Sequence, residues 1–121
     1  MAKFGYYFDT DDREEQESAF RWMSDFGCEE SARDTVEYER LRPQWQQTIE
    51  RLRNGDVLVV YKLSNAIRGA RELLFFMEFC RIREIRILSI ADRIDTGGEL
   101  FTDTGNVTAH LFDVLALFAS E

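Results

Sequence analysis

The sequence predicts an α/β domain of three layers, with a mostly parallel central sheet covered by helices on both faces. Three observations predict it. Strand-like and helix-like segments alternate along the chain as β-α-β-α-β-α-β-α, the order that a parallel sheet with crossover helices requires. One segment, Val57-Leu58-Val59-Val60-Tyr61, is continuously apolar and rich in β-branched residues, as a strand buried on both faces is. Finally, 121 residues with 45% hydrophobic side chains suffice for one core, so residues 1–121 read as a single domain.

The elements follow in order. Residues 3–8 are short and aromatic-rich, which suits a strand. Asp9-Thr10-Asp11-Asp12 supplies turn and capping residues, and acidic side chains favour the start of a helix. Residues 14–26 place Ala19, Phe20, Met23 and Phe26 at helical spacing on one face, and Gly27 suits the helix end. Residues 28–38 are polar and read as a short strand followed by a loop. Pro43 suits the first turn of a helix running to Arg53, with Trp45, Ile49 and Leu52 on one face. Asn54-Gly55-Asp56 ends it, and residues 57–61 form the buried strand. A helix over 70–83 has Leu73, Leu74, Phe76 and Met77 as core candidates. A strand over 85–90 follows, with turn residues after it, and a helix over 107–119 closes the chain.

Composition narrows the function. The formal net charge is -8. Affinity for duplex DNA comes largely from neutralising phosphates, so this balance argues against tight autonomous DNA binding. It leaves room for a local basic surface or for a separate DNA-binding segment. Cys28 and Cys80, flanked by Phe26-Gly27 and Phe79, read as small buried hydrophobes in a reducing compartment. With His110 they give only three scattered soft ligands and no zinc spacing. No apolar run approaches the roughly 20 residues of a membrane span, and Met1-Ala2-Lys3 leads straight into a strand, so a cytoplasmic location is expected.

In parallel sheets, sites form at the carboxyl ends of strands. The places to look are therefore residues 9–12, 62–68 and 91–96. Asp9, Asp11 and Asp12 resemble a Mg²⁺ site in residue type, but the partner aspartate such a site would want is missing from Val60-Tyr61-Lys62-Leu63-Ser64. Helix capping accounts for them better. Lys62, Ser64, Asn65 and Arg68 could meet a phosphate, or form a solvated turn. Arg42 would join them only if the fold brings it there. Gly97-Gly98 and Gly105 form no phosphate loop. Residue chemistry alone thus reaches an α/β domain with a cationic crevice, not a reaction.

Several motifs resemble a known family. Phe4-Gly5-Tyr6-Tyr7-Phe8-Asp9-Thr10 is similar to the F-G-Y-x-R-V-S opening of the resolvase/invertase serine recombinases. Arg42-Pro43 followed by Trp45 and Ile49 resembles that family's R-P-x-L-x-x-L/I helix start. Gly55-Asp56-Val57-Leu58-Val59-Val60-Tyr61-Lys62-Leu63 resembles its G-D-V-L-V-V-x-K-L. Ser64-Asn65-Ala66-Ile67-Arg68 stands in the place of D-R-L-x-R. Ile94-Asp95-Thr96 resembles its I-D-T turn, and Phe118-Ala119-Ser120-Glu121 the A-x-x-E that opens its long dimerisation helix.

The resemblance implies a resolvase-like catalytic domain that cuts and rejoins DNA at specific sites through a phosphoserine link, without metal or other cofactor. Arginines would stabilise the charge growing on the phosphate. It also implies dimers or tetramers in the full-length protein, of the kind found in mobile elements, and DNA reading by a C-terminal domain. That domain and the dimerisation helix are expected to lie outside residues 1–121. Carried over residue by residue, Thr10 stands at the nucleophile, with Arg42, Lys62 and Arg68 as retained cations. Matching Thr10-Asp11-Asp12 to S-T-D-D would put Asp9 there instead, at the cost of a one-residue gap. Phe8 replaces an arginine, Ser64 and Asn65 replace the aspartate and first arginine of D-R-L-x-R, and Glu14 and Ala19 replace two glutamines. The expectation is a recombinase fold with impaired or lost catalysis. The alternative is a non-catalytic interaction module, a pseudo-recombinase that associates with itself or with active recombinases.

Overall fold

The computed structural model describes residues 2–97, and they form the alternating βα arrangement that the pattern predicts. Strand β1 (Lys3–Phe8) leads to helix α1 (Arg13–Phe26), β2 (Glu30–Asp34), a 3₁₀ turn (Val36–Tyr38) and α2 (Pro43–Arg51). Then come β3 (Val57–Val60), a one-turn helix α3 (Leu63–Ala66), α4 (Ala70–Ile82), β4 (Arg86–Ser89) and β5 (Ile94–Asp95). The sheet order is β2-β1-β3-β4-β5, so the apolar β3 occupies the centre. The first four strands are parallel and β5 runs antiparallel to β4. The expected helix over 107–119, with His110, Gly98, Gly105 and the Phe118 to Glu121 motif, lies outside the described residues.

Alternation along the strands sorts side chains into two cores. Tyr6, Phe8, Leu58 and Val60 face α2, α3 and α4, where Trp45, Leu63, Leu73 and Phe76 meet them. Tyr7, Val57, Val59 and Leu88 face the other way and pack on Ala19 and Met23 of α1. The three layers follow from this period-two split of apolar strands. Gly5 lets α1 approach closely, since a Cβ there would sit 2.6 Å from Met23 Sδ. Gly5→Ala should therefore lower stability by about 1–3 kcal/mol through overpacking. Urea denaturation reads this, and an unchanged midpoint would show that Met23 has room to give.

The helix ends show how local chemistry sets boundaries. Asp12 Oδ1 accepts from Glu15 N at 3.0 Å and caps α1. Gly27, with φ of 90°, ends it, and Cys28 N donates to Met23 O at 3.0 Å. Helix α2 is capped from a distance. Arg42 precedes Pro43 in a left-handed conformation and offers no side-chain cap. Instead the buried Asp34 at the end of β2 accepts from Gln44 N and Trp45 N, both at 3.0 Å. Helix α3 is likewise capped from afar, by Asp92, which accepts from Leu63 N at 2.9 Å.

Three sequence expectations need correction. Ile94-Asp95 is not only a turn: it pairs back onto β4, and Arg86 clamps the buried Asp95 with two bonds of 2.8 and 2.7 Å. Leu74 is exposed, because α4 turns Leu73, Phe76 and Cys80 to the sheet instead. Helix α2 stops at Arg51 rather than Arg53, as Asp56 Oδ2 holds Arg53 N in the turn that follows.

Candidate active site at the switch of the sheet

The chain leaves β1 toward β2 on one side and later returns to place β3 on the other. Parallel strands that diverge in this way open a crevice at their carboxyl ends. Tyr6 is in register with Val60, so the residues after Phe8 and those after Val60 emerge side by side. This brings residues 8–10 and 61–68 together, two of the three places the sequence singles out.

Asn65 joins them. Its side-chain oxygen accepts from Phe8 N at 2.9 Å and its amide nitrogen donates to Phe8 O at 2.8 Å. A side-chain amide thus extends the β1 ladder where β3 has already turned away into α3. Asn65 is buried, so both bonds satisfy groups that water does not reach. Beside it, Arg68 Nη1 donates to Ser64 O and Asn65 O, each at 2.9 Å, and the guanidinium lies 4.9 Å from the centre of the Phe8 ring.

Arg42 reaches the same place from the start of α2. It is only 6% exposed. Its Nη1 donates to Ala66 O, and its Nη2 pairs with Glu72 Oε1 at 2.9 Å. The other oxygen of Glu72 accepts from Arg68 N at 3.1 Å. Arg42 and Arg68 therefore cap the carboxyl end of α3, whose last carbonyls have no partner within a helix of four residues. Glu39, Arg40, Arg42, Arg68 and Glu72 line an open crevice of about 420 Å³. Lys62 does not line it. It is exposed, with its ammonium 5.9 Å from the Tyr61 ring centre.

Thr10 lies on the other side of the strand end. Its hydroxyl is 2.9 Å from the Tyr7 hydroxyl and 3.3 Å from Glu15 Oε2, and it accepts from Asp12 N at 3.2 Å. Tyr7 belongs to the α1 core, so the hydroxyl is turned toward α1. Burial raises the Tyr7 phenol pKa and Glu15 adds to the rise, while the Thr10 hydrogen bond opposes it. Among the described residues, Thr10 makes no hydrogen bond to Arg42, Lys62 or Arg68. Asp9 forms an ion pair with Arg33 at 3.0 Å that is not aligned as a hydrogen bond, which leaves Oδ1 buried without a donor. Among the described residues no three His, Cys, Asp or Glu side chains gather as a metal site needs. Burial pushes the Cys80 thiol up to about 12 and the Cys28 thiol up to about 11, so both are poor nucleophiles.

Residues 11–121 match the profile of the resolvase N-terminal domain. The chain belongs to the resolvase family. It is similar to the serine recombinase gin of Escherichia phage Mu, with 33% identity over 91 residues, 74% of this chain and 45% of that protein. The DNA-invertase of Escherichia phage P1 is 34% identical over 91 residues, 74% of this chain and 47% of that protein. The transposon Tn917 resolvase of Enterococcus faecalis is 36% identical over 55 residues, 46% of this chain and 30% of that protein. The matched stretch thus spans less than half of each of these relatives. The profile match begins at Asp11, so it does not include Thr10, whose assignment rests on its spacing from Phe4-Gly5 and from Gly27-Cys28.

Two residues of this resolvase-family site escape the sequence reading. Asp34 sits in a polar stretch that carries no helix or strand period. Glu72 looks like any acidic residue in the first turn of a helix, and its bond to Arg42 spans 30 positions. A charge-balanced pair of that kind leaves no trace in spacing. Among the described residues no helix is long and apolar enough to cross a membrane.

Proposed function

We propose that this chain is the catalytic domain of a site-specific recombinase in which DNA strand cleavage is impaired or lost. The observation that carries this reading is where the donors go. The guanidinium bonds of Arg42 and Arg68 end on α3 carbonyls and Glu72, and the Thr10 hydroxyl bonds to Tyr7 and Glu15. Attack on a phosphodiester needs a hydroxyl in line with phosphorus and cations already aimed at the non-bridging oxygens. Phe8 and Asn65 supply neither. In this proposal the full-length protein acts in the cytoplasm as a dimer or tetramer, and a C-terminal domain beyond residue 121 contacts the DNA.

The test is a suicide duplex substrate incubated with the domain joined to a known DNA-binding domain, followed by a denaturing gel. No covalent protein–DNA band is expected. A shifted band that disappears in Thr10→Ala would overturn the proposal.

One observation favours a second reading, the non-catalytic interaction module. Leu74, Phe75 and Ile82 are all exposed on α4, and clustered surface hydrophobes mark association more often than catalysis. Light scattering of the domain alone and mixed with an active recombinase separates the readings. A mixed species that dissociates in Phe75→Asp would support the module.

A further inference from the structure

We propose that Glu72 is a positioning residue that latches the Arg42–Arg68 crevice against anions, and that its release opens a site for a phosphate-type oxyanion. The inference rests on reading that crevice as a phosphate site, but it assigns to Glu72 a control that no feature of the cation set explains. Its test reads binding and not cleavage, so it and the proposed function can fail separately.

The geometry carries the argument. One carboxylate bridges two groups that belong to different segments. Oε1 takes Arg42 Nη2 at 2.9 Å, and Oε2 takes Arg68 N at 3.1 Å. These are the kinds of donor, a guanidinium edge and a backbone N–H, that tetrahedral phosphate oxygens use. The carboxylate therefore stands where an incoming oxyanion would bond. Its side chain is 36% exposed while that of Arg42 is 8% exposed, so the latch faces solvent and the cation lies behind it. Arg42 does not depend on Glu72 for its place, since Nη1 is also held by Ala66 O. Removing the carboxylate should leave the guanidinium where it is, with a donor edge uncovered.

Charge decides whether the crevice accepts an anion. Its lining holds three cations, Arg40, Arg42 and Arg68, against two carboxylates, Glu39 and Glu72. The balance is +1 with Glu72 and +2 without it. Two unit charges about 4 Å apart interact, even at the dielectric of bulk water, by roughly a factor of five in binding, and by more where water is partly excluded. Glu72 thus opposes a phosphate twice, by occupying its donors and by repelling its charge.

The probes are inorganic phosphate and a thymidine dinucleotide with a single phosphodiester, titrated against the whole chain and followed by backbone amide NMR. The wild-type chain should show no saturable shift at residues 66–72. Glu72→Gln, which keeps the shape and removes the charge, should gain at least about fivefold in affinity, with the shifted amides confined to residues 42 and 66–72. Response to both probes identifies a general oxyanion site, and response to the dinucleotide alone a diester site. Glu72→Asp keeps the charge but is one methylene too short to span both donors, and should fall between. Glu50→Gln removes the same charge from an exposed position on α2 and should do nothing. An equal gain in Glu50→Gln, no gain in Glu72→Gln, or shifts elsewhere on the surface would each overturn the proposal. So would a Glu72→Gln chain that fails to fold, because Glu72 would then be a structural partner of Arg42 and not a latch.

Discussion

Asp34→Ala should destabilise this domain by about 3–5 kcal/mol, more than any other single truncation at the strand ends. Asp34 is 2% exposed and its two oxygens accept three hydrogen bonds. Tyr6 Oη donates to Oδ2 at 2.8 Å, Trp45 N to Oδ2 at 3.0 Å, and Gln44 N to Oδ1 at 3.0 Å. Each donor left without a partner in the interior costs roughly 1–3 kcal/mol, and loss of a helix N-cap about 1 kcal/mol. Helix α2 cannot recover the bonds from Arg42, whose left-handed backbone offers no side-chain cap. Asp34→Asn should cost less, since one oxygen survives, while Tyr6→Phe should remove only one of the three bonds. Chemical denaturation of the three variants gives the order Ala, Asn, Phe by loss of stability. An alanine variant within 1 kcal/mol of the parent would refute the remote cap. The same contact has a pH signature. Burial, and then the bond to Asp34, raise the pKa of the Tyr6 phenol above its ordinary value of 10.0. A group whose pKa is raised on folding contributes stability below its unfolded pKa and loses it as pH climbs through the folded one. Stability should therefore fall above about pH 10, and that fall should be smaller in Tyr6→Phe.

The elements legible in the sequence are those whose signals are local. Strand β1 runs from Lys3 to Phe8 as its aromatics indicate, and β3 is buried along its whole length as its apolar run requires. Helix α1 begins after Asp12 and ends at Gly27, both capping residues that work within a turn of themselves. The illegible parts are those set by distant partners. Strand β2 is expected as a short strand within residues 28–38, but its bounds and place carry no pattern, because Glu-Ser-Ala-Arg-Asp sits at the sheet edge, where charged residues are tolerated and no apolar pattern is needed. Helix α3 is too short for any period, and its cap lies 29 residues away. In α4 the run Leu73-Leu74-Phe75-Phe76 blurs the helical period; Phe75 is not among the core candidates and is indeed exposed, and only packing shows that Leu74 also faces out. The site divides in the same way. The chain order of Arg42, Asn65 and Arg68 was readable, and the fold brings these three together. Their bonds were not readable, because the partners are backbone groups of residues 8 and 64–66 and, for Arg42, the distant Glu72 carboxylate.

Restoring the family's residues at four positions, Phe8→Arg, Thr10→Ser, Ser64→Asp and Asn65→Arg, should produce a covalent protein–DNA band under the proposed reading, whereas the parent should give none. Each guanidinium aimed at the transition state contributes roughly 3–4 kcal/mol, about two to three decades in rate. Two of the four changes add one, so the expected gain spans about four decades or more. The fold sets a cost against that gain. The Asn65 amide makes both a donor and an acceptor bond to the Phe8 backbone, and an arginine there can replace at most the donor bond. Phe8 N would lose its acceptor, at about 1–3 kcal/mol. Phe8→Arg also takes away the ring that Arg68 covers and places a second cation beside it, which Ser64→Asp is positioned to offset. The four-site variant should therefore melt earlier than the parent yet still fold at 20 °C. Its three-site sibling that keeps Asn65 should be the more stable of the two and slower by two to three decades. Both are assayed on the suicide duplex after fusion to the same DNA-binding domain. The band must vanish when Thr10→Ala replaces Thr10→Ser in the four-site set. A band of equal strength in Phe8→Arg with Thr10→Ser alone would show that Asn65 was never the obstacle. A folded four-site variant without any band would place the deficit outside these positions, and the Tyr7 and Glu15 bonds to the Thr10 hydroxyl would be the next to remove.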